Sequence, residues 1–580
     1  MVNSFAISFP KEPRTPPADF QRASTFIELP YFGPEFATWR GNRELAITAS
    51  TLWDRRVIDP LSPDPTRDRR PLANAVSAVI LAAATGIVLF AALRSPLKDD
   101  IAWLLYVARR WLAGRELYVD LVEVNPPLIV WLSAGPLLLA RWLNVGQQYV
   151  AMPAFAGVAL AFAWWSACLL RPRGGVFAHR MQVFAVLGCV LLIVPAADLG
   201  QREHLLVAAF LPYLILFART LDGARPGWFV SLSAGVLAAL GCALKPQYAL
   251  AFVALEGVAL SRRVWPWRVA SMAAAVTLAS YIVLVAIVCP AYLRRAVPMA
   301  LALYGATDVT FLVLLRDSAA LLAAEGLAIV LWWRARDALA DRSLALAGLV
   351  FAVASSTVCF LDGKDWFYHR LPATVVTVLV LILWTVATAA RRPSRGAPKL
   401  ALAAAGLAVL LFGAAAVERL LPAVSQAVEP RVTTVARLEA LIRLHHARTY
   451  IAFSEWIALG FPVVNNTGVI WASRFDSMWA LKGEQWRAHI DPAAAKEWPV
   501  AHWVAHDFIA GCPDLAVVDV RDGANYIGVL SAAEPSFARV WSRYKPIVSF
   551  DGLTVYKRGK GGCVDPWIAA EGPKADTAIR

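Results

Sequence analysis

Two adjacent carboxylates, Asp99 and Asp100, end a hydrophobic run and open the segment DDIAWLLYVARRWLAGRELYVDLVEVNPPL, which adds Glu116, Asp120, Glu123 and Asn125 ahead of Pro126 and Pro127. A carboxylate held in such a place can take the proton from an attacking hydroxyl, provided it reaches hydrogen-bond distance of it. Farther along, short blocks gather opposite charges: Asp198, Gln201, Arg202, Glu203 and His204; Lys245, Gln247 and Tyr248; Arg294, Arg295 and Asp308; then Asp362, Lys364, Asp365, Tyr368, His369 and Arg370. Carboxylates and cations brought together on one surface can hold a lipid phosphate and activate a nucleophile.

The elements that must position these groups are membrane helices. Hydrophobic residues make up 58% of the chain and charged ones 17%, with 23 Trp and a mean hydropathy of +0.54, far from a soluble globular composition. Runs able to cross a hydrocarbon core of about 30 Å, which takes roughly 20 helical residues, recur from Leu72 to about Leu421. Eleven spans are expected, at 72–93, 149–170, 181–197, 204–219, 228–244, 247–260, 268–289, 318–333, 343–361, 371–390 and 400–417. If 126–143 crossed as well, Arg171, Arg173, Arg180, Arg262, Arg263, Arg334 and Arg336 would lie outside, against the excess of Lys and Arg on the cytoplasmic side. That segment is therefore expected to be juxtamembrane or re-entrant, starting at its proline pair. All the polar blocks then face the outside. The net charge of +14 sits in short connections between apolar runs and not in a stripe with interleaved aromatics, so nucleic acid is not an expected partner.

Residues 1–71 are Pro-rich and lack a basic stretch followed by an apolar one, so a disordered cytoplasmic tail is expected and a cleaved signal peptide is not. Residues 72–420 form the membrane domain. Residues 421–580 read as a soluble α/β domain, with a helix at VARLEALIRLHHA and strands at TYIAFS, LAVVDV, PIVSF and LTVYKR, external by span parity. Cys512 and Cys563 are the only cysteines of that domain and are expected to pair, since an outer compartment permits a disulfide. The Trp-rich stretch from Trp471 to Trp479 suits acceptor contact or core equally and carries nothing catalytic by type. No GxxxxGK[ST], HExxH or GxSxG occurs. A divalent cation, if one is used, would draw on Asp99, Asp100 or Glu123; no cofactor is otherwise called for.

The order acidic pair, aromatic, small-residue helix, Gly, Tyr, Asp and a polar residue before Pro-Pro is carried here by Asp99, Asp100, Tyr106, Gly114, Tyr118, Asp120, Asn125, Pro126 and Pro127. It resembles the first external loop of integral-membrane GT-C glycosyltransferases of the protein mannosyltransferase and aminoarabinose transferase superfamily. GQREHLL, ALKPQYAL and GKDWFYHRLPA look like motifs of its bacterial members, and the likeness covers about 72–420. Asp100 stands where many relatives carry Glu, and Asn125 where several carry His or Lys, departures that bear on the acceptor more than on the reaction class.

The resemblance implies a polytopic α-helical, GT-C-like fold in a bacterial cytoplasmic membrane, with the active site and C-terminal domain periplasmic. It implies transfer of a hexose or pentose from a polyprenyl-phosphate donor to a hydroxyl of a cell-envelope glycan or lipid. Asp99 and Asp100 would be catalytic. Lys245, Arg202, His204, Lys364, His369 and Arg370 would hold the donor phosphate, and Glu123, Asn125, Tyr248 and Tyr368 the acceptor or sugar. Two other classes stay open: a lipid-linked-sugar transporter or flippase, which would want polar groups through the spans, and a non-catalytic envelope-assembly protein.

Overall fold

The computed structural model describes residues 70–170, 179–264, 268–336, 339, 341–389 and 397–559. The expected tail lies outside these residues as far as position 69, and helix is already established at Arg70. The chain continues as α1 (Arg70–Arg94), α2 (Asp99–Leu112), α3 (Leu128–Leu143), α4 (Gln148–Leu169), α5 (Arg180–Ile193), α6 (Arg202–Leu221), α7 (Trp228–Leu244), α8 (Ala249–Ser261) and α9 (Val269–Val288). It goes on through α10 (Val297–Leu303), α11 (Phe311–Asp317), α12 (Ala319–Ala335), α13 (Arg342–Asp362), α14 (Phe367–Ala389), α15 (Ala397–Ala415), α16 (Leu421–Val428) and α17 (Thr434–Leu444).

Among the described residues, seven helices are long and apolar enough to cross a membrane: α1, α4, α6, α9, α13, α14 and the stretch Leu402–Val428. A pair bent by 80°, Tyr292–Thr307 with Phe311–Asp317, would make an eighth. The further spans expected at 181–197, 228–244, 247–260 and 318–333 appear as α5, α7, α8 and α12, of 14, 17, 13 and 17 residues. At 1.5 Å per residue these reach only about 20–26 Å, because Pro195, Pro246 and the break after Asp317 interrupt the apolar runs. The segment at 126–143 forms α3, of 16 residues, shorter than the seven helices counted above. Its first residue, Leu128, donates its N–H to Tyr281 Oη of α9 (3.2 Å), and Gln148, which opens α4, donates to the Leu93 carbonyl of α1 (3.0 Å).

The C-terminal part builds a five-stranded mixed sheet from β1 (Thr449–Phe453), β2 (Ile470–Trp471), β3 (Leu515–Asp519), β4 (Tyr544–Phe550) and β5 (Leu553–Arg558), in the order β2-β1-β3-β5-β4. β1 runs parallel to β2 and β3, with Ile451 opposite Ala516, while β5 is antiparallel to β3 and β4, with Val555 opposite Val517. β1 and β3 are buried along their whole length, as strands covered on both faces must be.

One hydrophobic core runs from this sheet into α2. Trp103 and Tyr106 pack on Phe461 at 4.9 and 5.1 Å between ring centroids, Asn465 donates to the Ala102 carbonyl (2.9 Å), and Val122 donates to the Arg474 carbonyl (2.7 Å). That is why Ile101–Arg110 is buried without interruption although α2 is amphipathic in sequence. Cys512 is disulfide-bonded; Cys563, its expected partner, lies outside the described residues.

Candidate active site

A cleft of about 590 Å³ opens where the loops at one end of the helix bundle meet the carboxyl ends of the parallel strands. Local rules deliver each group to it. Asp99 and Asp100 occupy the first turn of α2 and Arg109 and Arg110 its last, so both charge pairs complement the helix dipole and favour a helix beginning at Asp99. Gly200 turns the chain at φ +92°, and a Cβ there would come within 2.4 Å of Phe155; only glycine lets α6 start here with Arg202 and Glu203. Pro246 stops α7 and begins the next turn, leaving Lys245 extended (φ −146°) at the break between two helices. Gly363, left-handed at φ +69°, closes α13 and lets α14 begin with Phe367, Tyr368 and His369.

The charges form one network. Glu203 is fully buried, with Lys245 Nζ at 3.2 Å, Arg202 Nε at 3.9 Å and His369 Nε2 at 4.0 Å. Arg202 Nη2 also lies 3.8 Å from Asp100 Oδ1, while Gln201 donates to Asp100 Oδ2 (3.2 Å). Asp99 faces Lys98 at 3.0 Å and accepts the Asp100 N–H at 2.9 Å. Burial pushes the Asp100 carboxyl up to about 6, and neighbouring Asp99 adds to the rise against the pull of Arg202 and Lys98. Asp100 is thereby ionised at neutral pH yet close to the point where a carboxylate is a useful base.

Of the twelve residues given roles by the resemblance, Asp99, Asp100, Glu123, Asn125, Arg202, Lys245, Tyr368 and His369 line the cleft. Glu123 accepts both the backbone N–H (2.7 Å) and the side-chain amide of Asn125, and the Arg202 guanidinium lies 5.9 Å from the Tyr368 ring centroid. The other four are not on its wall. His204 is engaged at both nitrogens, accepting from Gly200 N–H (3.1 Å) and meeting the Leu191 carbonyl (2.9 Å). Lys364 binds Asp308 and the Tyr304 carbonyl (2.7 Å). Arg370 donates to the carbonyls of Asp317 and Asp365, and Tyr248 to that of His369 (2.6 Å). These four brace the loops that carry the wall.

The cleft also holds groups that sequence reasoning passed over: Asp476, Glu455, Trp456 and Lys482, all from the C-terminal part. Asp476 lies in the stretch read as having nothing catalytic by type. Its Oδ1 accepts from Trp479 Nε1 (2.8 Å), and burial, with Glu123 and Asp100 nearby, pushes its carboxyl up to about 8. At neutral pH it keeps its proton and can donate a hydrogen bond into the cleft. Its one sequence signal was an acid embedded in an aromatic run, SRFDSMW. Among the described residues no three metal-ligating side chains gather closely enough to hold a metal ion.

Fold and site together define a polytopic helical membrane protein with a charged cleft at one end of its bundle, roofed by an α/β unit. No family model matches the chain and no curated protein matches it. A solved structure described as ArnT from Cupriavidus metallidurans bound to undecaprenyl phosphate aligns over 84% of this chain and 98% of its own, at 13% identity and a TM-score of 0.45, a likeness on which nothing below depends.

Proposed function

We propose that the protein is a glycosyltransferase that moves a sugar from a polyprenyl-phosphate donor to a hydroxyl of a cell-envelope glycan or lipid. The observation that carries the reading is the meeting in one cleft of Asp99 and Asp100 with Arg202 and Lys245, groups that three separate stretches of chain supply. Asp99 takes the acceptor proton as the hydroxyl oxygen forms its bond to the anomeric carbon. The bond from that carbon to the phosphate oxygen breaks, and its electron pair leaves with the phosphate. Arg202 and Lys245, with His369 beside them, meet the charge that develops there. No acid is needed for the leaving group, unlike the hydrolysis of a glycoside. Asp100, fixed by Gln201 and Arg202, keeps the arginine oriented and the local potential balanced.

The cleft end is assigned to the periplasmic side. Arg219, Arg262, Arg334 and Arg342 sit at the ends of α6, α8, α12 and α13 remote from the cleft, which the positive-inside bias puts in the cytoplasm. Residues 421–580 then cover the site from the periplasm. Purified protein in nanodiscs, given a panel of polyprenyl-phosphate sugars and an envelope extract as acceptor, should form a glycosylated product. If no sugar is transferred while lipid-linked sugar crosses reconstituted vesicles, the protein is a transporter and the proposal fails.

A further inference from the structure

Trp456 stands 59% exposed on the wall of the cleft, just beyond the carboxyl end of β1. The chain leaves β1 toward β2 on one side and leaves β3 toward β4 and β5 on the other, so the gap between the ends of β1 and β3 is the point where connections diverge. Open α/β sheets hold ligands in that crevice. Here hydrogen bonds tie the ends of the two strands together. Asp519, the last residue of β3 and 2% exposed, accepts from Ser454 Oγ (2.8 Å), Arg521 Nε (2.8 Å) and Arg521 Nη2 (2.7 Å). Ser454 Oγ in turn accepts the Trp456 N–H (3.0 Å), and the Arg521 guanidinium lies 4.3 Å from the indole centroid. Arg521 thus backs one face of the ring, which is left largely in water all the same. Beside it Glu455 and Lys482 pair at 2.8 Å.

An indole dipping into lipid headgroups would sit among apolar and cationic neighbours. This one has the Arg521 guanidinium against one face and lines a cleft that it shares with the Glu455–Lys482 pair. A flat apolar face edged by fixed hydrogen-bonding groups matches a pyranose, whose C–H face packs on the ring while its hydroxyls reach the carboxylate and ammonium. We propose that Trp456, with Glu455 and Lys482, is a saccharide subsite, so that the acceptor is a glycan one sugar of which stacks on the indole while another presents its hydroxyl to Asp99. This rests on the transferase reading and narrows its acceptor.

The test uses the full-length protein in nanodiscs, probed on an array of bacterial cell-envelope oligosaccharides and, separately, with undecaprenyl phosphate. Wild type should bind at least one saccharide, Trp456→Ala should weaken that binding about tenfold, and Trp456→Phe should stay within about threefold, the scale of an aromatic stacking contact. Unchanged saccharide binding by Trp456→Ala overturns the proposal. So does a wild type that binds undecaprenyl phosphate but no saccharide, and so does a Trp456→Ala variant whose only loss is affinity for anionic vesicles. If wild type fails to bind undecaprenyl phosphate, the transferase reading itself is what fails.

Discussion

Lys245 is where fold and donor binding can be separated. Its ammonium is 3.2 Å from Glu203, with side-chain exposures of 11% and 0%, so Lys245→Ala strands a buried carboxylate that retains only Arg202 at 3.9 Å and His369 at 4.0 Å. Breaking a buried pair in this way costs about 3–5 kcal/mol, whereas replacing both partners with uncharged groups of similar volume is often close to neutral. Lys245→Ala should therefore lose stability and donor binding together, and by itself says little about function. Lys245→Met combined with Glu203→Gln should restore the melting temperature to within a few degrees of wild type. Donor binding should stay weak in the double variant, because a charge-assisted hydrogen bond to phosphate is worth about 1.5–3 kcal/mol, or about ten- to 150-fold in Kd. Glu203→Gln alone, which frees the ammonium, should bind donor at least as tightly as wild type. The assay is the Kd for undecaprenyl phosphate in nanodiscs beside a thermal melt of each variant. A stable double variant that binds undecaprenyl phosphate like wild type would refute the placement of the phosphate at Lys245.

Two further predictions concern protons. Asp100, raised to about 6, loses below that pH the charge that orients Arg202, so kcat/KM should fall below about pH 6, and Asp100→Asn should be less active and show no inflection there. Asp476, raised to about 8, holds its proton at neutral pH, so Asp476→Asn should resemble wild type at pH 7 and lack a loss of activity that wild type shows above about pH 8. The sign in stability is fixed as well: the folded state binds this proton more tightly than the unfolded chain, so wild type should lose stability relative to Asp476→Asn as pH rises from about 4 through about 8. Parallel melting curves for the two proteins across that range would contradict the burial of Asp476.

The long apolar helices and the start of α2 are legible in sequence because they follow from apolar run length, proline and charge placement. The site was legible by block and less so by residue. GQREH places Arg202 and His204 two apart on a helix, where side chains point nearly opposite ways; Arg202 reaches the cleft and His204 turns to Leu191. His369 and Arg370 are adjacent, about 100° apart on the helix, and divide in the same way, one to the cleft and one to the Asp317 carbonyl. Lys364 could not be placed because its partner, Asp308, comes from a different loop. Asp476 and Trp456 were hidden for a stronger reason: they reach the site only through docking of the sheet on α2, a long-range contact with no local sequence period.

In the proposed mechanism a carboxylate at the start of α2 activates the acceptor while cations at the starts and ends of neighbouring helices hold the donor. Single-turnover transfer with donor already bound, compared between wild type and Asp99→Asn, tests it most directly. In Asp99→Asn the chemical step should slow by about 10²–10⁴-fold, the usual contribution of a general base, while the Kd for undecaprenyl phosphate changes little. A variant that transfers sugar at the wild-type rate, or one whose only defect is donor affinity, would contradict it.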